Sequence, residues 1–218
     1  MWYELGMEKR IDSRWTASIV GELRLVDNLH KINRWAIKPN VSYRLQSWLT
    51  ATVGYELFFI KSYSLTSDGT YSKRGNYTQH QINAALQASY KIGPVRLSLR
   101  ERWQYDYRPQ QTNSQRYDYT TESWDGEEHI FHGNASHMLR SRLQIDHDIT
   151  SLRLRTYASA ELFNAWNIQK ARYTVGVNWN ATSHSSIRLR YFYDDVRRKP
   201  NAYTYDFHIV ALGYWLLF

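Results

Sequence analysis

Arginines recur in pairs two residues apart: Arg100/Arg102, Arg140/Arg142, Arg153/Arg155 and Arg188/Arg190. In a β-strand, residues i and i+2 share a face, so each pair puts two guanidinium groups on one side of a sheet. Guanidinium is planar, always charged and built for bidentate contact with carboxylate or phosphate. Rows of it need carboxylate partners or an anion. The same-face cations extend to Arg24, Lys38, Arg44, Arg96 and Arg172. The carboxylates available to them are Glu4, Glu8, Glu22, Glu56, Asp106, Asp146, Glu161 and Asp194. The chemistry implied is ion pairing across an interior, or attraction of a small anionic solute.

Other constellations are weaker, and no catalytic residue, metal ligand or cofactor is expected. Asp206 and His208 share a strand face, as a carboxylate and a general base would, but that face continues as Val210 and Leu212. Asp146-His147-Asp148 has the composition of a turn. Ser183-His184-Ser185 is faintly similar to the active-site run of a barrel lipase that deacylates lipopolysaccharide, yet it falls in a short turn. The stretch 117–132 holds Asp118, Glu122, Asp125, Glu127, Glu128, His129 and His132 without a fixed ligand spacing; a divalent-cation site competes there with a solvated acidic loop. A non-enzymatic protein is the expectation.

The elements that carry these charges alternate strictly. In Val95–Arg108, Val95, Leu97, Leu99, Trp103, Tyr105 and Tyr107 oppose Arg96, Ser98, Arg100, Arg102, Gln104, Asp106 and Arg108, and only Glu101 breaks the apolar face. Residues 15–26, 35–45, 81–90, 172–180 and 187–194 repeat the pattern, which is the strand signal. No run approaches the 18 apolar residues of a spanning helix; the longest apolar stretch is 209–218. The rings are abundant, with 18 Tyr and 9 Trp in 218 residues, and they lie in alternating segments rather than in apolar runs. Lipid on one face and ion pairs or water on the other explains both features.

The chain is therefore expected to be all-β, a single transmembrane antiparallel barrel over residues 1–218, located in the cell outer membrane. Arg or Lys facing lipid at mid-bilayer costs ~2–4 kcal/mol, so the charges should line the interior. Short turns at 12–14, 46–47, 92–94, 147–150 and 181–185 alternate with longer polar connections at 27–33, 64–78, 109–134 and 196–205. Short periplasmic turns with long external loops are the outer-membrane arrangement. Trp15, Tyr43, Trp48, Tyr90 and Trp179 fall near the short turns, and Trp35, Trp103, Tyr105 and Tyr193 toward the long ones. They predict two aromatic girdles at the two interfaces. Tyr214, Leu216 and Phe218 end the chain on an alternating strand similar to the C-terminal insertion signal of outer-membrane barrels. Eleven strands are readable. The first and last would run the same way, and bacterial barrels are normally even-numbered; about twelve strands are therefore expected, with ten as the alternative.

Several runs resemble an uncharacterised outer-membrane barrel family, a domain of unknown function. They are GELR at 21–24, RERWQYDYRP at 100–109, LRSRLQ at 139–144, AELFNAW at 160–166 and RYTVG at 172–176, together with Trp2 and Arg14-Trp15. The resemblance implies the barrel and its location and carries no activity or catalytic residues. In architecture alone, the chain is also similar to small porins with arginine-lined lumens that pass acidic sugars.

The formal charge of +8 could suggest nucleic acid, but the cations interleave with apolar residues instead of forming one exposed stripe. Nucleic acid is not an expected partner. Outer-membrane lipid and lipopolysaccharide are, the latter through basic clusters at 73–74 and 197–199. Outer-membrane protein partners are compatible with the pattern. The absence of cysteine excludes disulfides and thiolate metal sites. The opening residues already read as strand, and an exported barrel needs a cleaved leader, so the leader is expected to have been removed.

Overall fold

The computed structural model describes residues 1–65, 71–113, 117–118, 123–124, 129–197 and 207–218. Among them, eleven strands form a closed barrel: β1 (Trp2–Arg10), β2 (Trp15–Val26), β3 (Lys31–Arg44), β4 (Leu49–Leu65), β5 (Tyr71–Ile92), β6 (Val95–Arg108), β11 (Asn134–Ile149), β12 (Leu154–Ala165), β13 (Asn167–Trp179), β14 (Ser185–Val196) and β15 (Phe207–Leu217). Four short strands lie in the connection from β6 to β11: β7 (Gln111–Asn113) pairs with β10 (His129–Phe131), and β8 (Tyr117–Asp118) with β9 (Ser123–Trp124).

The odd strand number is resolved at the seam. β1 and β15 pair in parallel from Trp2↔Ala211 to Glu8↔Leu217, and every other wall pair is antiparallel. The seam is sealed by hydrogen bonds from Arg10 N to Phe218 O and from Phe218 N to Glu8 O, each 2.9 Å. No twelfth strand is needed, because parallel pairing satisfies the edge groups of both terminal strands, and closure abolishes the exposed edges that bare backbone cannot tolerate in lipid.

Alternation fixes the two surfaces. Leu5, Ile19, Ile37, Val53, Leu86, Leu99, Leu143, Val175 and Leu189 are exposed on the outer wall, where water would be costly and acyl chains are not. The inner face carries the charges. Trp15, Trp35, Trp48, Tyr90, Trp103 and Trp179 are exposed. Tyr43, Tyr105 and Tyr193 are half-buried: Trp15 tilts on Tyr43 at 4.6 Å, Trp103 stacks on Tyr105 at 6.5 Å, and Tyr193 stacks on Tyr173 at 6.2 Å. Tyr214 and Phe218 are exposed and share the outer parity of β15 with Leu216. Glu101 does project outward, and its carboxylate accepts a hydrogen bond from Ser141 at 2.6 Å.

Three connections differ from the sequence reading. The predicted loop at 27–33 is a four-residue turn, 27–30. Asp27, Asn28 and Leu29 all have positive φ, His30 N bonds Asp27 O, and Lys31 pairs with Asp27 at 2.9 Å. The predicted loop at 64–78 is largely strand: β4 and β5 remain paired out to Leu65↔Tyr71, beyond the last β3 and β6 partners Ile60 and His80. The turn predicted at 147–150 sits three residues later, because Asp146, His147 and Asp148 continue β11 and a 3-10 turn occupies Thr150–Leu152. A single residue, Trp166 (φ 67°), joins β12 to β13.

Inside the wall, two glycines permit close packing. A Cβ on Gly6 would lie 2.3 Å from the Trp215 indole, and one on Gly176 2.4 Å from the Tyr157 ring. The rings lie flat across the bare backbone, and Trp215 is buried as a result. Trp2, Phe192 and Ala211 form a small buried apolar cluster on the same side.

Candidate functional site

All eleven wall strands contribute to one internal cavity of about 540 Å³. Ten cationic side chains line it: Arg24, Arg34, Lys38, Arg100, Arg102, Arg140, Arg142, Lys170, Arg172 and Arg190. Five carboxylates do so: Glu4, Glu22, Glu56, Asp106 and Glu161. Asp194, buried beside the cavity, pairs with two of these cations, so the positive surplus is four charges.

A chain of contacts runs round the lumen, interrupted between Arg102 and Arg140. Glu22 accepts from Arg24 (2.7 Å), Arg34 (2.7 Å) and Lys38 (2.6 Å). Lys38 lies 3.8 Å from Glu56, which also pairs with Arg102. Arg102 stands opposite Arg140 across the β6–β11 pair. Arg140 binds Glu161 through Nε and Nη2, at 3.2 and 2.8 Å, and covers the Phe163 ring at 4.3 Å. Lys170 and Arg172 cover the same ring and hold Asp194 at 3.0 and 2.6 Å. Arg172 then reaches Trp2 at 5.1 Å, and Arg24 sits over that indole at 3.4 Å, bringing the chain back to its start. Low-dielectric surroundings strengthen such contacts, and aromatic faces hold guanidinium where no carboxylate is within reach.

A second layer lies toward the short turns. Arg190 pairs with Glu4, Arg100 with Glu161 at 2.6 Å, and Arg188 covers Trp215 at 3.8 Å. Arg142 has only a 3.5 Å contact to Gln87 Oε1. The Nε atoms of Arg100, Arg102, Arg142, Arg188 and Arg190 are buried and without a hydrogen-bond partner. Asp106 and Asp146 are held by amides instead of cations, Asp106 by Gln79 (3.1 Å) and Gln104 (2.6 Å), and Asp146 by Gln144 (2.9 Å).

Of the predicted interior residues, Arg24, Lys38, Arg100, Arg102, Arg140, Arg142, Arg172, Arg190, Glu4, Glu22, Glu56, Asp106 and Glu161 come together at the cavity. Asp194 is buried beside it, and Asp146 is buried lower down. Glu8, Arg44, Arg96 and Arg155 have inward parity but sit near the short-turn end; Arg155 pairs there with Asp148 at 2.5 Å. Arg153 does not line the lumen. It occupies the left-handed position (φ 53°) that closes the 150–152 turn, so it no longer shares a face with Arg155, and it borders a vestibule with Lys91, Asp148 and Arg155. Sequence reasoning missed Arg34 and Lys170, because β3 and β13 begin earlier than the alternation suggested; counting parity backward from Lys38 and Arg172 would have found both. It also missed the inward rings Trp2, Phe58, Phe163, Phe192 and Trp215, which were hidden by the rule that apolar side chains face lipid.

The remaining candidates are scattered. His208 is on the outer wall, bonded to Tyr191 at 2.5 Å and tilted on Tyr193; Asp206 lies outside the described residues. Ser183 and His184 are 2.8 Å apart in the exposed 180–184 turn. The acidic stretch 117–132 lies largely outside the described residues. Asp12 closes the β1–β2 turn, accepting the backbone N–H groups of Trp15 (2.7 Å) and Arg14 (2.6 Å); these two bonds, that of Trp15 foremost, hold its carboxyl below the usual Asp range.

A closed wall, antiparallel but for its one parallel seam, lipophilic outside and ionic inside, defines an outer-membrane-type β-barrel. The chain belongs to DUF2490, a family of proteins of unknown function, whose model matches residues 1–205. Among solved structures it is similar in fold to the β domain of the Bordetella autotransporter BrkA (TM-score 0.53, 11% identity, 92% of this chain and 82% of that one). A porin structure aligns at TM-score 0.38 and 12% identity, over 93% of this chain and 59% of that one. No curated protein sequence matches.

Proposed function

We propose that this protein is a narrow passive channel of the Gram-negative outer membrane with a preference for small anions, and that it is not an enzyme. One observation carries the reading: the internal cavity is lined by ten cations and five carboxylates. Rings of Arg and Lys favour anions at close quarters, and a surplus lumenal charge raises the local anion concentration. The exposed outer wall supports lipid, including lipopolysaccharide, as the surrounding partner.

A second reading has its own support. The contact ring from Glu22 to Trp2 crosses between strands, and barrels with few strands are filled by their own side chains. On that reading the protein is a plugged barrel acting as a structural element or an accessory subunit of an outer-membrane assembly.

Planar-bilayer recording separates the two. The channel gives discrete current steps and, in a salt gradient, a reversal potential on the anion side. Arg102→Gln with Arg140→Gln shifts that potential toward zero. A folded, inserted protein that passes no current leaves the plugged barrel.

A further inference from the structure

The contact ring and the layer beneath it differ in how well their guanidinium groups are satisfied. In the ring, Arg24, Arg34, Arg140 and Arg172 each engage a carboxylate through two nitrogens; Arg102 is the exception, bonded to Glu56 through one nitrogen with its Nε unpartnered. Beneath it, Arg142 stands directly opposite Arg100 across the β6–β11 pair. Such cross-strand Cα atoms are only ~4.5–5.5 Å apart, and like charges directly opposite are destabilising. No carboxylate among the described residues lies within salt-bridge distance of Arg142, whose polar contact is the 3.5 Å one to Gln87.

Three more groups converge there. Tyr157 lies across Gly176, lines the cavity, and interacts electrostatically with Arg142, Arg188 and Arg190. Arg190 has one carboxylate, Glu4, and Arg188 has the Trp215 face. The Nε of Arg100, Arg142, Arg188 and Arg190 is buried with no protein acceptor. A buried donor without a partner costs roughly 1–3 kcal/mol, more when charged, so four of them in one layer are unfavourable unless something accepts from them. On Arg142 the Nε–Nη edge carries no carboxylate and fits two oxygens of one tetrahedral or carboxylate group, a geometry that a spherical halide cannot use, while Arg100 and Arg190, whose Nη2 is held by Glu161 and Glu4, offer Nε alone.

We propose that Arg100, Arg142 and Arg190, with Tyr157 and Gln87, form a discrete lumenal site for a phosphate-like oxyanion carrying more than one negative charge. This rests on the anion-path reading and names its solute class. Arg142 has no carboxylate and Arg100 and Arg190 have one each with Nε left over, so the three together call for a multivalent partner; the phenol and the amide supply neutral donors, and the barrel wall separates the site from lipid headgroups, so the ligand is a dissolved solute.

Isothermal titration calorimetry of the whole chain folded in detergent tests it, with inorganic phosphate as the probe and acetate and chloride at matched ionic strength as comparators. One saturable site is expected for phosphate, with weaker binding of acetate and none of chloride. Arg142→Gln weakens phosphate binding at least about tenfold, ~1.4 kcal/mol, while Arg153→Gln in the turn leaves it unchanged. Tyr157→Phe, which removes only a hydroxyl, gives a smaller loss and serves if Arg142→Gln does not fold. Absence of saturable heat, equal response to chloride, or binding indifferent to both lumen variants overturns the proposal. Phosphate binding by a protein that carries no current sustains the site and removes the channel; current without phosphate binding does the reverse.

Discussion

Glu22→Gln removes the anion on which three cations converge. The Glu22 side chain is 1% exposed, and Arg24, Arg34 and Lys38 are 21%, 18% and 17% exposed. Five hydrogen bonds reach its two oxygens, at 2.7 and 3.1 Å from Arg24, 3.2 and 2.7 Å from Arg34 and 2.6 Å from Lys38. Removing one partner of a buried pair costs roughly 3–5 kcal/mol, because the other charge is left uncompensated. Here three cations remain, which argues for the upper end; each borders a polar cavity where solvent can screen it, which argues for the lower. We expect about 3 kcal/mol, a hundredfold in the unfolding equilibrium at ~1.4 kcal/mol per decade. Urea titration of detergent-folded protein, followed by tryptophan fluorescence, reads it. Asp106→Asn is the comparison, since its partners are the neutral amides of Gln79 and Gln104 and its loss should stay near 1 kcal/mol. If Glu22→Gln were as mild as Asp106→Asn, the cations would already be hydrated, and Glu22 would not be what holds the three together.

Other expectations follow from the same geometry. Leu5→Cys with Tyr214→Cys, neighbours in the parallel seam, should oxidise to a disulfide in this otherwise cysteine-free chain, whereas Leu5→Cys with Val210→Cys should not; a gel-shift assay for cross-linking decides, and the opposite result would mean a different closure. Gly6→Val drives a side chain into the Trp215 indole and should cost ~1–3 kcal/mol by overpacking, read by the same urea titration. Leu99→Arg on the outer wall should cost ~2–4 kcal/mol and Leu99→Val much less, measured as equilibrium folding into vesicles. The Asp12 carboxyl, held low by the N–H groups of Trp15 and Arg14, should titrate below 3.8 in the folded protein; its turn contacts are then fully present above the unfolded pKa and lost as pH falls through the lower folded value. Amide chemical shifts of Arg14 and Trp15 against pH report that midpoint.

Alternation by itself determined most of this protein. Residues 95–108 could hide their arginines from lipid only by turning one face inward, so an all-β barrel wall with a lipophilic outside was legible from period two. What the linear pattern could not carry was anything set by partners far apart in the chain. Eleven strands suffice because β1 and β15, at opposite ends of the sequence, hydrogen-bond in parallel, and no local signal encodes that pairing. Arg153 left its face through a single left-handed residue, a backbone choice that alternation does not express. Trp2, Phe163 and Trp215 turned inward because guanidinium groups from neighbouring strands needed aromatic faces, and Gly6 made room for the Trp215 indole. Which cation would share which carboxylate depended on the register and tilt of eleven strands together, and therefore so did the placing of Arg142 where no carboxylate among the described residues pairs with it.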